Sequence, residues 1–277
     1  AQYAHHAEIV CVPRNLVVPV PDGLGFAEAS TVTLGAIALQ GVRRLQPTLG
    51  ECFVVIGLGI LGQLAVQLLK ANGCRVLGLD LNMKKVALAC SLGVDAGIDL
   101  TASQVEQIYR LTGGIGADGV IITASSPSSE ILSTAFQMCR KKGRVVVVGD
   151  VGLDIKRADI YPKELDFFIS TSYGPGRYDQ TYEEHGLDYP VSYVRWTENR
   201  NMAEYLRLVS EGCINVSKLI SATYALENAH KAYEDLQQAD NQLLMVLFSY
   251  PGRQEYFERR IEVSPATQTT SGKIRMA

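Results

Sequence analysis

The feature that most constrains this chain is a short strand pattern that runs straight into a glycine turn. Cys52-Phe53-Val54-Val55-Ile56 is a continuous β-forming run, and Gly57-Leu58-Gly59-Ile60-Leu61-Gly62 follows it without a gap. The next residues, as far as Asn72, carry apolar side chains at helical spacing. Each glycine has a separate reason in a strand-turn-helix unit of this kind. Gly57 permits the tight turn, Gly59 keeps the backbone open to close approach by a diphosphate, and Gly62 lets the helix pack against the strand. The free N–H groups and positive dipole end of the helix then face the anion. A second strand pattern, RVLGLD, ends on Asp80, 18 residues past Gly62. A carboxylate there accepts hydrogen bonds from both ribose hydroxyls of an adenosine and repels a 2′-phosphate. The expected ligand is therefore NAD rather than NADP. Neither Leu81 nor Asn82 supplies a cation to reverse that preference, although Lys84 and Lys85 lie close by.

The flanking sequence repeats the same rhythm. Apolar strand runs alternate with helical patterns at Met83–Ser91, near 102–111 and at Ser129–Arg140, and further strands are expected in VDAGID, DGVIITA and RVVVVG. Strands without polar alternation belong to a parallel sheet covered on both faces, so the fold class is α/β, a doubly wound parallel Rossmann sheet. A helix over Phe26–Leu45 precedes the sheet, and Gly73, Gly93 and Gly143 are placed just past helix ends. Residues 9–20 read as edge strands or extended connections because Pro13 and Pro19 interrupt them. After Gly149 one more strand is expected in Lys163–Ser172, then a helix near 202–211, a strand in SKLIS, a helix over Glu227–Gln237 and a closing strand LLMVLFSY. From Pro251 onward the composition resembles a linker or tail.

Ligands of such sheets sit at the carboxyl ends of the strands. Thr123 and Ser125, at the end of one strand, are expected on the adenine side, and Gly149 and Val151 on the nicotinamide side. Ser125 and Ser126 could equally cap the helix that follows. The segment between Tyr173 and Trp196 gathers Arg177, Tyr178, Tyr182, Tyr189, Tyr193 and Arg195. Aromatic faces with hydroxyl and guanidinium groups suit a sugar or nucleotide-sugar substrate, and they suit a subunit interface equally well.

Composition excludes several other classes. The formal charge of -3 is spread along 277 residues without a basic block, so nucleic acid is not an expected partner. No apolar run reaches the roughly 20 residues of a membrane helix. No secretory leader pattern opens the sequence, and the expected location is cytoplasmic. The six cysteines lack CxxC spacing and read as reduced core residues. No His, Cys, Asp and Glu set has metal-ligand spacing, and His185 and His230 read as surface residues. Ala1 in place of an initiator Met reads as a piece of a longer or processed chain.

Residues 7–250 resemble the later part of the medium-chain dehydrogenase/reductases, the zinc-type alcohol dehydrogenase group. The resemblance rests on AEIVCVPRNLVVPVPDG, TLGAIALQGV, GLGILG with GLDLNMKKV, and ENAHKAYEDLQ with LLMVLFSY. It implies that residues 1–32 close a GroES-like catalytic barrel, that 33–175 form the Rossmann domain, and that 176–250 hold the substrate loop and the return to the barrel. Remnants of that barrel would thus accompany the sheet. The resemblance also implies that Lys85 helps hold the adenosine ribose and that KELDFFISTS pairs two subunits of a homodimer. Thr33 would stand where zinc-dependent members place a Cys ligand, which argues against a catalytic zinc. Thr33 is then the expected hydroxyl near the nicotinamide, with Tyr173 and Arg177 as substrate contacts. A narrower resemblance, carried by GPGRYD, DYPVSYVRWTENRNM and RRIEVSPATQTTSGKIRMA, is to bacterial two-domain oxidoreductases of polysaccharide biosynthesis. It implies that 251–277 link to a covalently fused Gfo/Idh/MocA-type oxidoreductase domain. The expected activity is NAD-dependent hydride transfer at an alcohol or carbonyl carbon of a sugar derivative. The alternative is a catalytically silent NAD-binding and dimerisation module of a larger protein.

Overall fold

A computed structural model describes residues 6–7, 9–99, 103–238 and 243–250. The strands are β1 (Cys52–Ile56), β2 (Arg75–Asp80), β3 (Ala96–Asp99), β4 (Ala117–Ile122), β5 (Ser125–Ser126), β6 (Cys139–Val147), β7 (Asp150–Val151), β8 (Asp166–Ile169), β9 (Ile220–Ala225) and β10 (Met245–Ser249). The helices are α1 (Phe26–Ala29), α2 (Val32–Leu45), α3 (Ile60–Ala71), α4 (Met83–Ser91), α5 (Gln104–Leu111), α6 (Glu130–Met138), α7 (Arg157–Ile160), α8 (Gln180–Glu183), α9 (Glu198–Ser210) and α10 (Ala229–Gln237). Six strands form one sheet in the order β3-β2-β1-β4-β6-β8, and every pairing in it is parallel. β1 lies in the middle, buried along its whole length. Its alternate side chains feed two cores. Phe53 and Val55 join α2, α3 and α9 on one face, while Cys52, Val54 and Ile56 join α5 and α6 on the other. This division explains why the strand sequence shows no polar alternation. β9 and β10 form a separate parallel pair.

Several boundaries differ from the sequence expectation, each for a local reason. The helix expected over Phe26–Leu45 is broken at Ser30 and Thr31. Their hydroxyls donate to Ala27 O and Glu28 O at 2.7 and 2.6 Å, competing with the helical ladder. Thr31 Oγ1 also bonds the buried hydroxyl of Tyr205 at 2.8 Å. That ring lies against Gly35, where a methyl group would overlap it. Residues 9–20 contain no strand and hold only a 3₁₀ turn at Arg14–Leu16. Of the three glycines placed past helix ends, Gly73 and Gly93 have positive φ, whereas Gly143 lies inside β6 and Lys142 takes the positive φ instead. The closing half also shifts, since Ser217–Leu219 is a 3₁₀ turn and β9 begins only at Ile220. The cysteines divide evenly, with Cys52, Cys74 and Cys139 buried and Cys11, Cys90 and Cys213 exposed, so half of them are not core residues. The expected tail from Pro251 to Ala277 lies outside the described residues.

The strand expected over Lys163–Ser172 shortens to Asp166–Ile169 because Lys163 serves elsewhere. Its ammonium donates to Gln137 O at 2.6 Å, Cys139 O at 2.7 Å and Phe136 O at 3.1 Å. Those carbonyls end α6, where helical partners run out and a cation is favoured. Glu164 then turns the chain at φ 50° into β8. Lys163→Met is expected to lower stability by about 2 kcal/mol, because charge-assisted bonds are lost and half-buried carbonyls are left unmet. Urea unfolding of the two proteins measures this, and an unchanged midpoint contradicts the capping role.

Candidate functional site

The carboxyl ends of β1, β2, β4 and β6 meet at one edge, and backbone crowding shapes that edge. Gly57 turns the chain at φ 91°, and a side chain there would meet Ala124 N at 2.6 Å. At Gly62 and Gly149 a methyl group would overlap Gly57 O and Ala124 O respectively. Thr123 Oγ1 donates to Gly57 O at 2.5 Å, which ties the end of β4 to the turn. These contacts account for three glycines through packing within the protein. Gly59 is different. It is the N-cap of α3 with ordinary extended backbone, φ -66°, and a side chain there would meet nothing within 4 Å. No side chain caps this helix end. The N–H groups of its first turn have no helical acceptors, so the corner offers donors beside open space.

Asp80 closes the other side of the corner. Its Oδ2 accepts the Leu58 N–H at 2.6 Å and its Oδ1 accepts the Asn82 N–H at 2.8 Å. Each carboxylate oxygen accepts two bonds, so one lone-pair direction remains on each for a vicinal diol. Asp80 thus fixes the turn as well as facing outward, a role its position in the sequence does not announce. Gln63, fully buried, links the same parts by donating to Leu58 O at 3.0 Å and Lys85 O at 2.9 Å. Sequence reasoning missed Gln63, a polar residue on the buried face of a helix and a usable signal. Lys85 is brought onto the first turn of α4, beside this link, while Lys84 is exposed.

The other expected cofactor contacts are placed less uniformly. Ile60 and Leu61 are half-buried on the first turn of α3, whereas the Leu58 side chain is in the core and its N–H is taken by Asp80. Ser125 is exposed on β5, which pairs with β7 just above the sheet edge. It caps nothing, since Ser128 Oγ accepts the Glu130 N–H at 3.1 Å and Ser126 Oγ accepts the Ser128 N–H at 3.3 Å. Val151 turns its side chain into the core, leaving only its backbone for the edge.

Of the expected catalytic residues, Thr33 is the one on the first turn of a helix with its hydroxyl unused. It is half-buried in the first turn of α2, and no described hydrogen bond uses its hydroxyl. Tyr173 is buried with Ala36 and Met202, so its ring packs the interior and does not line an open surface. Arg177 directs Nη1 to Glu183 Oε1 at 2.5 Å, and both residues are largely buried. The aromatic segment as a whole folds on itself. Tyr182 stacks on Tyr189 with centroids 5.2 Å apart, Tyr189 bonds Asp179, and Asp179 caps α8. Asn15 Nδ2 donates to Tyr182 O, and Asn199 returns a bond to Asn15 O at 3.0 Å. Most of these rings therefore serve internal packing, with Tyr178 and Tyr193 left exposed.

Within this segment Glu198 is fully buried, and neither carboxylate oxygen has a hydrogen-bond partner. Desolvation, reinforced by the charge of Glu183, pushes its carboxyl up to about 8, so it carries a proton at neutral pH. Among the described residues no three His, Cys, Asp or Glu side chains converge on a point that could hold a metal ion. The described residues do not furnish a zinc site, and Thr33 adds only a neutral hydroxyl. Among the same residues no helix is long and apolar enough to cross a membrane.

Residues 61–185, which run from α3 into the aromatic segment, match the family described as zinc-binding dehydrogenase. The chain is 36% identical over 137 residues to an alcohol dehydrogenase of Rhizobium meliloti (strain 1021), an alignment covering 49% of the chain and 39% of that relative. Two solved structures share its fold. One is 2R,3R-butanediol dehydrogenase from Bacillus subtilis, with TM-score 0.68 and 24% identity over 84% of this chain and 60% of that one. The other is a short chain alcohol dehydrogenase from E. coli CFT073 complexed with cofactor NADH, with TM-score 0.68 and 21% identity over 84% and 62%. The chain thus spans about two fifths to three fifths of the length of these proteins.

Proposed function

We propose that this chain is the nucleotide-binding part of an NAD-dependent oxidoreductase that moves hydride between the nicotinamide and an alcohol or carbonyl carbon, in a polyol or sugar derivative. The observation that carries the reading is the open space at Gly59. Protein packing explains why Gly57, Gly62 and Gly149 lack side chains, whereas at Gly59 the open space beside free N–H groups suits an approaching diphosphate. The N–H groups of Ile60, Leu61 and Gly62 would hold the diphosphate, Asp80 and Lys85 the adenosine ribose, and the edge formed by Thr123 and Gly149 the remainder. The nicotinamide supplies the redox chemistry when bound, and the protein supplies orientation and exclusion of water. Thr33 is the side chain proposed to hold or pass the substrate hydroxyl proton. Asp80 without an arginine at the next two positions favours NAD over NADP. Diol oxidation in one structural relative supports the substrate class. The proposal further includes a homodimer through the free edge of β8 and a fused second oxidoreductase domain.

A second reading is supported by the inward burial of Tyr173 and the Arg177–Glu183 pair, which removes two expected substrate contacts. On that reading the chain binds NAD and does no chemistry. Absorbance at 340 nm separates the two when the gene product carrying this chain is given NAD and a panel of diols, polyols and sugars. The oxidoreductase reading expects NADH formation with at least one substrate and at least tenfold loss in Thr33→Val. NAD binding without any turnover supports the silent module.

A further inference from the structure

Near the C-terminal end of α3, the end opposite the glycine turn, α2, α3 and α9 leave a cleft of about 460 Å³ between them. Its floor is apolar, formed by Leu39, Val42, Leu68 and Leu208, and Trp196 stands at its wall. Two guanidiniums lie over the indole ring, Arg43 at 3.4 Å and Arg195 at 3.7 Å from the centroid. Arg43 is half-buried, and its Nε donates to Asn201 Oδ1 at 2.8 Å. That bond orients the guanidinium and leaves both terminal amino groups for another acceptor. Among the described residues, no ion pair satisfies either arginine. The acidic residue in the cleft, Glu204, is engaged by Arg207 at 2.8 Å. Burial draws the Arg43 guanidinium down to about 10, an effect that Arg195 deepens and Glu204 opposes.

A half-buried cation without a salt-bridge partner gains from an anion more than an exposed cation does, because the pair forms where water screens it less. Apolar walls beside that cation add a requirement for hydrocarbon or ring surface on the same ligand. We propose that this cleft binds an amphiphilic organic anion, a carboxylate seated on Arg43 with its apolar body against Leu39, Val42, Leu68 and Leu208. The site lies apart from the nucleotide corner and does not depend on the function proposed above.

Trp196 is the sole tryptophan of the chain, so its emission reports on this cleft alone. The test titrates octanoate into the whole chain while following that emission, with octanamide and inorganic phosphate as parallel probes. The expected result is a saturable change with octanoate, at least tenfold weaker binding of octanamide and of phosphate, and at least tenfold weaker octanoate binding in Arg43→Gln. No saturable response, equal binding of octanamide, or a folded Arg43→Gln with unchanged affinity overturns the proposal. If Arg43→Gln does not fold by circular dichroism, the exposed Arg195→Gln decides. Octanoate binding at least threefold weaker supports the site, and unchanged binding overturns it.

Discussion

The Gly59→Val variant is expected to melt within about 3 °C of the parent protein while binding NADH at least 100-fold more weakly, a loss of about 3 kcal/mol. The two halves of this expectation come from separate observations. Backbone at φ -66° and ψ -168° accepts any L-residue, and the added side chain meets no protein atom within 4 Å. An N-cap glycine without a capping side chain loses little when replaced, roughly 0.5–1 kcal/mol. The same isopropyl group fills the space beside the free N–H groups of α3, where a diphosphate must come close. Gly62→Ala is the informative contrast. Its methyl overlaps Gly57 O, so it is expected to lose stability and binding together. Thermal melting and NADH fluorescence titration measure both. Intact binding in a folded Gly59→Val places the dinucleotide elsewhere.

The second large effect concerns Glu198. A carboxyl raised to about 8 in the folded state, from an ordinary 4.5, keeps its proton while the unfolded chain has lost it. Stability from this group is therefore fully present below about pH 4.5 and falls as pH rises towards 8. Glu198→Gln places a neutral isostere in the same buried position and removes that slope. The variant is expected to match the parent near pH 4.5 and to exceed it by about 2–4 kcal/mol at pH 8.5, a rise of roughly 5–10 °C in Tm. Melting at the two pH values measures this. A difference that does not change with pH would mean that Glu198 is ionised in the fold and paired.

The strand-turn-helix corner was legible in the sequence because its requirements are local. A strand, a turn that only glycine makes and a helix follow one another, and the carboxylate of Asp80 ends the next strand. The six parallel strands were legible for a related reason, since strands buried on both faces need unbroken apolar runs. What the sequence hid depends on partners distant along the chain. Ser30 and Thr31 break a helix that periodicity joins, and Thr31 finds its partner in Tyr205. Lys163 reads as part of a strand until the end of α6 appears beside it. The aromatic segment misled most. Its composition matches a binding surface, yet Tyr173, Tyr182 and Arg177 are used inside the protein against Met202, Tyr189 and Glu183. Composition names the chemistry a segment is capable of, and only packing decides which way its side chains face.

The account rests on a nicotinamide dinucleotide held between the first turn of α3 and Asp80. Isothermal titration of the chain with NADH and, separately, NADPH tests this most directly. One NADH per chain, with a Kd between about 1 and 100 μM and NADPH at least tenfold weaker, is the result predicted from a carboxylate facing the ribose. No heat of binding with either nucleotide, from protein shown to be folded, would contradict it.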